Sequence, residues 1–196
     1  MTFSVSDKAK LKEAFGMYCE ITADKYKFVK DLDIEFSEDL HTVGDYAFAD
    51  SRGIADIGVS GEKIKNLGMG AFSKTAITSF TFSDELKEIP KDAFCNCKSL
   101  AEITLSESIE AIGTDAFRGC EKLEEVTIGS NVPSIGTQAF RDCTALTKVV
   151  IPPSVTYIAD SAFSGCSNLT IYCVKDSIAH KYALESNRPF VLKEGE

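Results

Sequence analysis

The residues of this chain best suited to chemistry are its thiols and imidazoles. Cys95 and Cys97 form a Cys-x-Cys pair, and the two histidines are His41 and His180. A metal or redox centre would need further cysteine or histidine ligands at suitable spacing, which the sequence does not supply. A nucleophilic enzyme needs a base beside its nucleophile, but His41 falls in a repeat turn and His180 near the C-terminus. We therefore expect no catalytic residue, no metal and no cofactor, and we interpret the chain as non-enzymatic.

Four of the seven cysteines recur at one interval. They stand 23 residues apart, at Cys97, Cys120, Cys143 and Cys166. A disulfide framework uses an even number of cysteines, whereas a repeated position indicates a structural slot. We predict that these four are buried thiols, which pack as small apolar side chains. The redox state of Cys19, Cys95 and Cys173 is left open by the sequence.

The charge of the chain restricts its partners. The net charge is −9, and because nucleic acids and anionic membranes attract basic faces, we expect neither as a partner. A basic protein segment remains compatible. No uncharged run approaches the roughly 18 residues of a membrane-spanning helix, which predicts no membrane insertion. The start at Met1 lacks an apolar signal region, so either the protein is cytoplasmic or a signal was removed ahead of Met1.

Repetition is the dominant feature of the sequence. An Ala-Phe pair recurs with steps of 24, 22, 23, 23 and 23 residues, at Phe48, Phe72, Phe94, Phe117, Phe140 and Phe163. A period of this size is typical of a solenoid, in which each unit buries its apolar face against its neighbours. We divide the chain into an N-terminal helical cap (1–30), a solenoid of about six units (31–173) and a C-terminal cap of helix and short strand (174–196).

Each unit contains two recognisable segments. Alternation around Ile103, Thr104 and Leu105 predicts a strand with one buried face, and strands of successive units would stack in parallel about 4.8 Å apart. The Ala-Phe segment is predicted to be a short helical turn, with N-cap types three residues before phenylalanine at Asp45, Thr114, Thr137 and Asp160. Two residues after phenylalanine we expect positive φ, except at Lys74 in a shortened unit. Four residues before phenylalanine, a close backbone approach is expected to require small residues.

Both ends of the chain carry a helical pattern. Ser6 can cap a helix bearing Leu11 and Phe15 on one face. Near the C-terminus, Ser177 can cap a helix with Ile178 and Tyr182 on one face, which Asn187 and Pro189 then stop. Caps of this kind cover the apolar ends of a solenoid.

The repeat resembles a known family. The string from Ile151 to Thr170, with Ala162, Phe163 and Cys166 at its centre, is similar to the 23-residue leucine-rich repeat of BspA-like proteins, and the resemblance covers residues 32–173. It implies an α/β repeat solenoid, coiled right-handedly, with a concave parallel β-sheet and helical turns on the other side. Members of that family are mostly surface or secreted proteins of bacteria and protozoan parasites, implicated in adhesion to host matrix or to other cells. The resemblance therefore implies a cell-surface or secreted location.

The outward positions of the strands form the candidate interaction face. Two columns alternate with the buried positions, acidic at first, rich in threonine in the middle and mixed at the end. One column holds Asp33, Asp56, Ser79, Glu102, Glu125, Lys148 and Thr170, and the other holds Glu35, Gly58, Thr81, Thr104, Thr127, Val150 and Tyr172. The proposed partner-binding residues are Asp33, Glu35, Asp56, Thr81, Glu102, Thr104, Glu125, Thr127, Lys148, Val150 and Tyr172. Polar strand surfaces also occur without any partner, because threonine favours strands. Against that reading, the acidic clustering favours binding of a basic or mixed-polarity protein segment.

Two functions follow from this reading. The first is a protein-interaction module that acts in adhesion or ligand recognition through the concave face, with a protein ligand such as a basic segment or a host surface or matrix protein. The second is a self-associating structural scaffold. The sequence leaves the oligomeric state open.

Overall fold

The computed structural model describes residues 3–5, 34–36, 41–51, 60–61 and 64–194, with side chains for 41–51 and 64–194. The helix predicted in the N-terminal cap lies outside the described residues. In chain order the strands are β1 (Phe3–Val5), β2 (Ile34–Phe36), β3 (Thr42–Val43), β4 (Ser60–Gly61), β5 (Asn66–Leu67), β6 (Ser79–Phe82), β7 (Glu88–Ile89), β8 (Glu102–Thr104), β9 (Ala111–Ile112), β10 (Glu125–Thr127), β11 (Ser134–Ile135), β12 (Lys148–Val150), β13 (Tyr157–Ile158), β14 (Thr170–Val174) and β15 (Phe190–Lys193), and the helix α1 (Ile178–Glu185) lies between β14 and β15.

The repeats form a parallel β-solenoid. We name each coil after its repeated phenylalanine. The predicted strands form sheet A, which comprises β4, β6, β8, β10, β12, β14 and β15, and all of its pairings are parallel. The predicted parallel stacking is therefore confirmed. A second parallel set, sheet B, was not predicted from the sequence and comprises β3, β5, β7, β9, β11 and β13. At the N-terminus, β1 pairs in parallel with β2.

The Ala-Phe segments are runs of β-turns, and the predicted helical turns are not confirmed. In the Phe117 coil, Ala116, Arg118 and Cys120 each donate their N–H to the carbonyl three residues earlier. The intervening residues donate instead to the next coil, as Phe117 N does to Ala139 O at 2.8 Å. A helix directs its N–H groups along its own axis and would leave none for this ladder. The cap prediction fails for the same reason, since Asp45 Oδ1 accepts from Met69 N of the next coil at 2.7 Å.

The turn ladder requires left-handed backbone at two positions of the coil. Two residues after phenylalanine, φ is positive as predicted at Asp50, Asn96, Gly119, Asp142 and Gly165. The exception expected at Lys74 is wrong, because its φ is 59° and its N–H donates to Cys95 O of the next coil at 2.8 Å. A second positive-φ position, two residues before phenylalanine, was not predicted; it holds Tyr46, Gly70, Asp92, Asp115 and Gln138.

A close backbone approach explains three of the four glycines that stand four residues before phenylalanine, Gly68, Gly113 and Gly136, whereas a Cβ on Gly44 would meet nothing within 4 Å. A Cβ added to Gly68 would lie 2.3 Å from Asp45 N, and one added to Gly113 would lie 2.7 Å from Lys91 N. Neither glycine has positive φ. The prediction that this slot demands small size is therefore confirmed at Gly68, Gly113 and Gly136 but not at Gly44.

The core is a stack of aromatic rings. Phe48, Phe72, Phe94, Phe117, Phe140 and Phe163 are at most 3% exposed. Consecutive rings lie 5.2–5.5 Å apart, with interplanar angles of at most 11°. Phe80 and Phe82 add two further rings beside Phe94, at 4.8 and 5.6 Å. The predicted interior position of the repeated phenylalanine is confirmed.

The repeated cysteines form a second interior column. Each thiol donates to the phenylalanine carbonyl of the preceding coil, as Cys143 Sγ does to Phe117 O at 3.1 Å. All four are buried, as predicted, and Thr75 fills the same slot in the Phe72 coil, where its hydroxyl contacts Cys97 Sγ at 3.3 Å. Burial raises the pKa of the Cys97 thiol to about 11 and that of Cys166 to about 12. The cysteines within the described residues are free thiols.

Helix α1 closes the C-terminal end of the solenoid. Ser177 is its N-cap, as predicted, and its hydroxyl accepts from His180 N. Tyr182 packs edge-on against Phe163, with ring centroids 6.1 Å apart. Arg188 donates to Phe163 O and Cys166 O, each at 2.7 Å. The last coil is thus covered by groups that no other repeat contains. No helix in the described part of the chain is long and apolar enough to span a membrane.

Candidate interaction face on sheet A

Strand alternation places the predicted binding residues from Thr81 to Tyr172 on one surface. In β10, the exposed side chains of Glu125 and Thr127 flank Val126, which is 2% exposed. Parallel pairing aligns Glu125 with Lys148 and Thr127 with Val150. Val150 is in turn aligned with Tyr172, and the neighbouring pair β6–β8 aligns Thr81 with Thr104 and Ser79 with Glu102. We call these outward residues of sheet A the strand face.

The first coils depart from the predicted columns. Ser60 pairs with Thr81, whereas the predicted register placed Gly58 opposite Thr81 and Asp56 opposite Ser79. The register of this coil was therefore wrong by two residues. Asp33 and Asp56 lie outside the described residues. Glu35 lies in β2, where its backbone pairs with that of Ser4.

The centre of the strand face is a three-residue contact across three coils. Lys148 Nζ donates to Glu125 Oε2 at 2.7 Å and lies 5.7 Å from the ring centroid of Tyr172. The hydrogen bond that Lys148 donates to Glu125 raises the pKa of Lys148. Because the ammonium is held between a carboxylate and an aromatic face, the patch presents negative, positive and aromatic groups side by side.

An apolar margin extends this patch toward the C-terminus. Val150 and Tyr172 are half-buried, and Val191 in β15, which pairs with Tyr172, is 41% exposed. The sequence columns ended at Tyr172, because β15 follows α1 and lies outside the repeat. Only the short Phe190–Leu192 apolar run signalled this strand.

Sheet A is interrupted beside the patch. Within the described residues, β8 is hydrogen-bonded to β6 and β10 to β12, but the two groups of strands are not joined to each other. A cleft of about 300 Å³ lies between β8 and β10. Its lining includes Ile103, Leu105, Glu107, Glu125, Val126 and Thr127. Sequence reasoning found Glu125 and Thr127 but missed Glu107, Ile103 and Leu105 as surface residues, since the repeat assigned the two apolar ones to buried slots.

Acidic groups dominate the rim of this cleft. Glu107 accepts from both the N–H and the hydroxyl of Ser130, which lowers its pKa. Elsewhere on the surface, glutamates are matched by lysines, as in Lys87–Glu110 and Lys98–Glu121. At the rim, Glu125 is likewise paired with Lys148, whereas Glu107 forms no ion pair within the described residues, so the uncompensated negative charge at the cleft is that of Glu107.

A larger cleft lies away from the strand face. Its volume is about 390 Å³, and it opens where the Phe72 coil is one residue short, lined by Lys74, Thr75, Ala76, Asn96, Lys98 and Ser99. Lys74 pairs with Asp50, and Lys98 pairs with Glu121. This cleft presents no aromatic ring and brings together no predicted site residue.

His180 and Cys95, which the sequence offered as candidates for chemistry, make structural contacts. His180 Nδ1 accepts from Asp176 N at 3.1 Å, and its ring packs against Phe190. Cys95 is buried, and burial raises its pKa to about 11. A thiol with such a pKa stays protonated and is a poor nucleophile near neutral pH. Among the described residues, no three His, Cys, Asp or Glu side chains could hold a metal ion together.

Several solved bacterial proteins share this fold. A leucine-rich repeat protein from Bacteroides ovatus is 28% identical, with a TM-score of 0.61, over 83% of this chain and 48% of its own. One from Eubacterium ventriosum is 27% identical, with a TM-score of 0.63, over 69% of this chain and 37% of its own. This chain thus spans about half or less of those two proteins. The T. pallidum leucine-rich repeat protein, 23% identical with a TM-score of 0.57, covers 79% of this chain and 80% of its own and shows the same fold.

Sequence comparison gives the family. No curated protein matches this chain. The family described as BspA type leucine-rich repeat region matches in six copies, over residues 20–146 and 65–187. These matches cover most of the chain and coincide with the solenoid coils. The chain belongs to the BspA-type leucine-rich repeat family.

Proposed function

We propose that this chain recognises a protein ligand through the strand face, in adhesion or a related recognition role at the cell surface. Leucine-rich repeat proteins are generally protein-interaction modules. The observation that carries the proposal is the contact of Lys148 with Glu125 and Tyr172. Tyrosine is enriched among residues that dominate interface energies, and charged groups around it give specificity.

The surroundings of this contact support the same function. Val150 and Val191 extend the apolar area next to Tyr172, while Glu102 and Thr104 provide a polar margin. An apolar centre with a polar rim is the usual anatomy of a protein interface. The acidic residues favour a ligand with basic groups.

Charge reversal on the strand face tests the proposal. The double variant Glu102→Lys/Glu125→Lys and the wild type would be immobilised and exposed to host surface and extracellular-matrix proteins. We expect loss of the ligand that the wild type retains, without a lower melting temperature. The matched control Glu110→Lys/Glu121→Lys makes the same charge change outside sheet A and should keep the ligand. Retention by the strand-face variant would refute the proposal.

Self-association is a second candidate function. The edge strand β15 exposes Val191 and Leu192, at 41% and 45%, and an exposed apolar strand edge can pair with another chain. Light scattering of the wild type and of Val191→Lys would test this candidate. A concentration-dependent oligomer that Val191→Lys dissociates would support a scaffold, and a monomer at all concentrations would refute it.

A further inference from the structure

Two neighbouring coils share a continuous interior but separate at sheet A. Phe117 and Phe140 are stacked at 5.2 Å, and in sheet B Ile112 pairs with Ile135. On the sheet A side, the strands of the same two coils, β8 and β10, are not paired within the described residues. The opening is therefore local to the strand face.

Extra aromatic volume accounts for the opening. Phe82, in the Phe94 coil, reaches the ring of Phe117 in the next coil at 6.4 Å. Ile103 and Leu105 are only partly buried, whereas the equivalent Val126 and Ile128 are each 2% exposed. Because the Phe82 ring occupies interior space of the Phe117 coil, the side chains of β8 sit farther out and β10 cannot close against it.

Because β8 and β10 are not paired, they leave backbone groups without the hydrogen bonds that the equivalent groups form elsewhere in sheet A. Between β10 and β12, Thr147 N donates to Glu124 O at 3.0 Å and Ile128 N donates to Val150 O at 2.9 Å. One repeat earlier, the equivalent acceptors are Ala101 O and Thr127 O. Within the described residues these two carbonyls receive no such bond from the neighbouring coil. Carbonyl groups at an unpaired strand edge favour a ligand that brings N–H donors.

The lining of the cleft complements a long basic side chain. Ile103, Leu105 and Val126 form apolar walls, and Glu107 and Glu125 provide carboxylates at the rim. An arginine side chain combines an apolar stem with a planar group of five donors, which matches apolar walls, carbonyl edges and carboxylates. A lysine would satisfy the carboxylates but supplies fewer, undirected donors.

We propose that the β8–β10 cleft receives an arginine side chain from an extended segment of the partner protein. This inference rests on the proposed recognition role of the strand face. The segment lies across the strand face, and its guanidinium enters between Thr104 and Thr127 to reach Glu125. Charge complementarity selects this occupant, because the cleft rim is acidic and the chain carries a net charge of −9.

A defined peptide tests the proposal without knowledge of the partner. The probe is the acetylated and amidated pentapeptide Thr-Val-Arg-Val-Thr, titrated to millimolar concentration into 15N-labelled protein. Its counterpart carries norleucine in place of arginine. We expect saturable shifts of the Leu105, Glu125 and Val126 amide signals with the arginine peptide, and at least about tenfold weaker binding of the norleucine peptide.

Matched variants locate the effect. Glu107→Gln/Glu125→Gln should weaken binding of the arginine peptide at least about tenfold, whereas Glu110→Gln/Glu121→Gln, with the same charge change, should not. Should Glu107→Gln disturb the turn at Ser130, Glu125→Gln alone serves the same purpose. Equal binding of the two peptides, equal effects of the two double variants, or no saturable shift would overturn the proposal. Loss of the protein ligand on charge reversal could still be observed in that case, so the two failures are distinguishable.

Discussion

Arg188 donates to the backbone carbonyl of Phe163 at 2.7 Å. In the coils from Phe72 to Phe140, the equivalent phenylalanine carbonyl accepts a hydrogen bond from the thiol of the following coil. The Phe163 coil is the last, so no following coil supplies a thiol to its carbonyl. The guanidinium takes the place of this thiol and also reaches Cys166 O, so one residue outside the repeat supplies the donor that the thiol of a further coil would bring.

This role makes Arg188 a stability determinant. Arg188→Met should lower the free energy of unfolding by about 1–3 kcal/mol, because Cys166 O loses this donor and Phe163 O keeps only the bond from Cys166 N, and both carbonyls belong to buried residues. Urea unfolding measures the loss. The control Arg118→Met removes an exposed guanidinium with one weak ion pair to Asp115 and should change stability little. Equal losses would show that Arg188 does not close the stack.

The ring stack gives a second prediction. Phe117→Ala should cost about 3–5 kcal/mol, because it leaves a cavity between two stacked neighbours. Unfolding should also lose cooperativity, since each coil is held by the adjacent ones. Thr104→Ala, an outward substitution on the same coil, should leave the transition unchanged. Thermal unfolding followed by circular dichroism compares the two, and similar melting would contradict the assigned roles.

Two glycines in equivalent positions should respond differently to alanine. A Cβ on Gly113 would lie 2.7 Å from Lys91 N and 2.8 Å from Pro90 C, whereas one on Gly44 meets nothing within 4 Å. Gly113→Ala should therefore destabilise by about 1–3 kcal/mol, and Gly44→Ala should be neutral or slightly stabilising. Chemical denaturation distinguishes these outcomes. A neutral Gly113→Ala would mean that the coils can separate at this turn without cost.

Backbone conformation at Lys74 leads to a further test. Its φ of 59° costs a non-glycine residue roughly 1–2 kcal/mol. This cost exceeds the free energy that glycine loses through its larger loss of backbone entropy on folding. Lys74→Gly should therefore raise the free energy of unfolding by about 1 kcal/mol or less. Lys98→Gly, at a nearby lysine without positive φ, should lower it. If both substitutions destabilise, the left-handed conformation at Lys74 is not strained.

The buried thiols predict the dependence of stability on pH. Unfolded thiols lose their protons near pH 9, while folded Cys97 and Cys166 keep theirs to about pH 11 and 12. In that interval the folded state binds more protons, so stability is unaffected by these thiols below pH 9 and falls as the pH rises above it. The fall is about 1.4 kcal/mol per pH unit for each thiol.

A variant isolates this contribution from other groups that titrate in the same range. Cys97→Thr copies the residue that fills the slot in the Phe72 coil and removes one titrating thiol. Its stability between pH 9 and about 11, measured under reducing conditions, should fall less steeply than that of the wild type. Parallel slopes would indicate that Cys97 is not protected from ionisation.

The repeat was readable from sequence because its interior positions have few solutions. Phe117 must fit between two identical rings, and Gly113 must allow the backbone of Pro90 and Lys91 to approach. Such positions accept few residue types, so size and spacing alone identify them. The Ala-Phe turn was different, because Asp and Thr are favoured both as helix caps and in turns. Only the hydrogen bonds to the next coil distinguish the two.

Features that break the repeat were not predictable. Ile103 and Leu105 match the buried consensus, and their partial exposure depends on the ring of Phe82 in the coil before. Val191 joins the strand face from beyond the last repeat. Sheet B consists of two-residue strands such as β9 and β11, which are too short to show alternation. The candidate site depends on these local departures, which the consensus sequence of one repeat does not show.

The thiol column bears on how such a chain changes length. Each interior coil receives a donor from the coil after it and gives one to the coil before it. A duplicated 23-residue segment inserted between Cys120 and Cys143 would therefore form the same bonds as its template, and Arg188 would still terminate the final turn. Growth by tandem duplication then requires no compensating substitutions inside the protein, and only the outward-facing residues are left for selection to diversify.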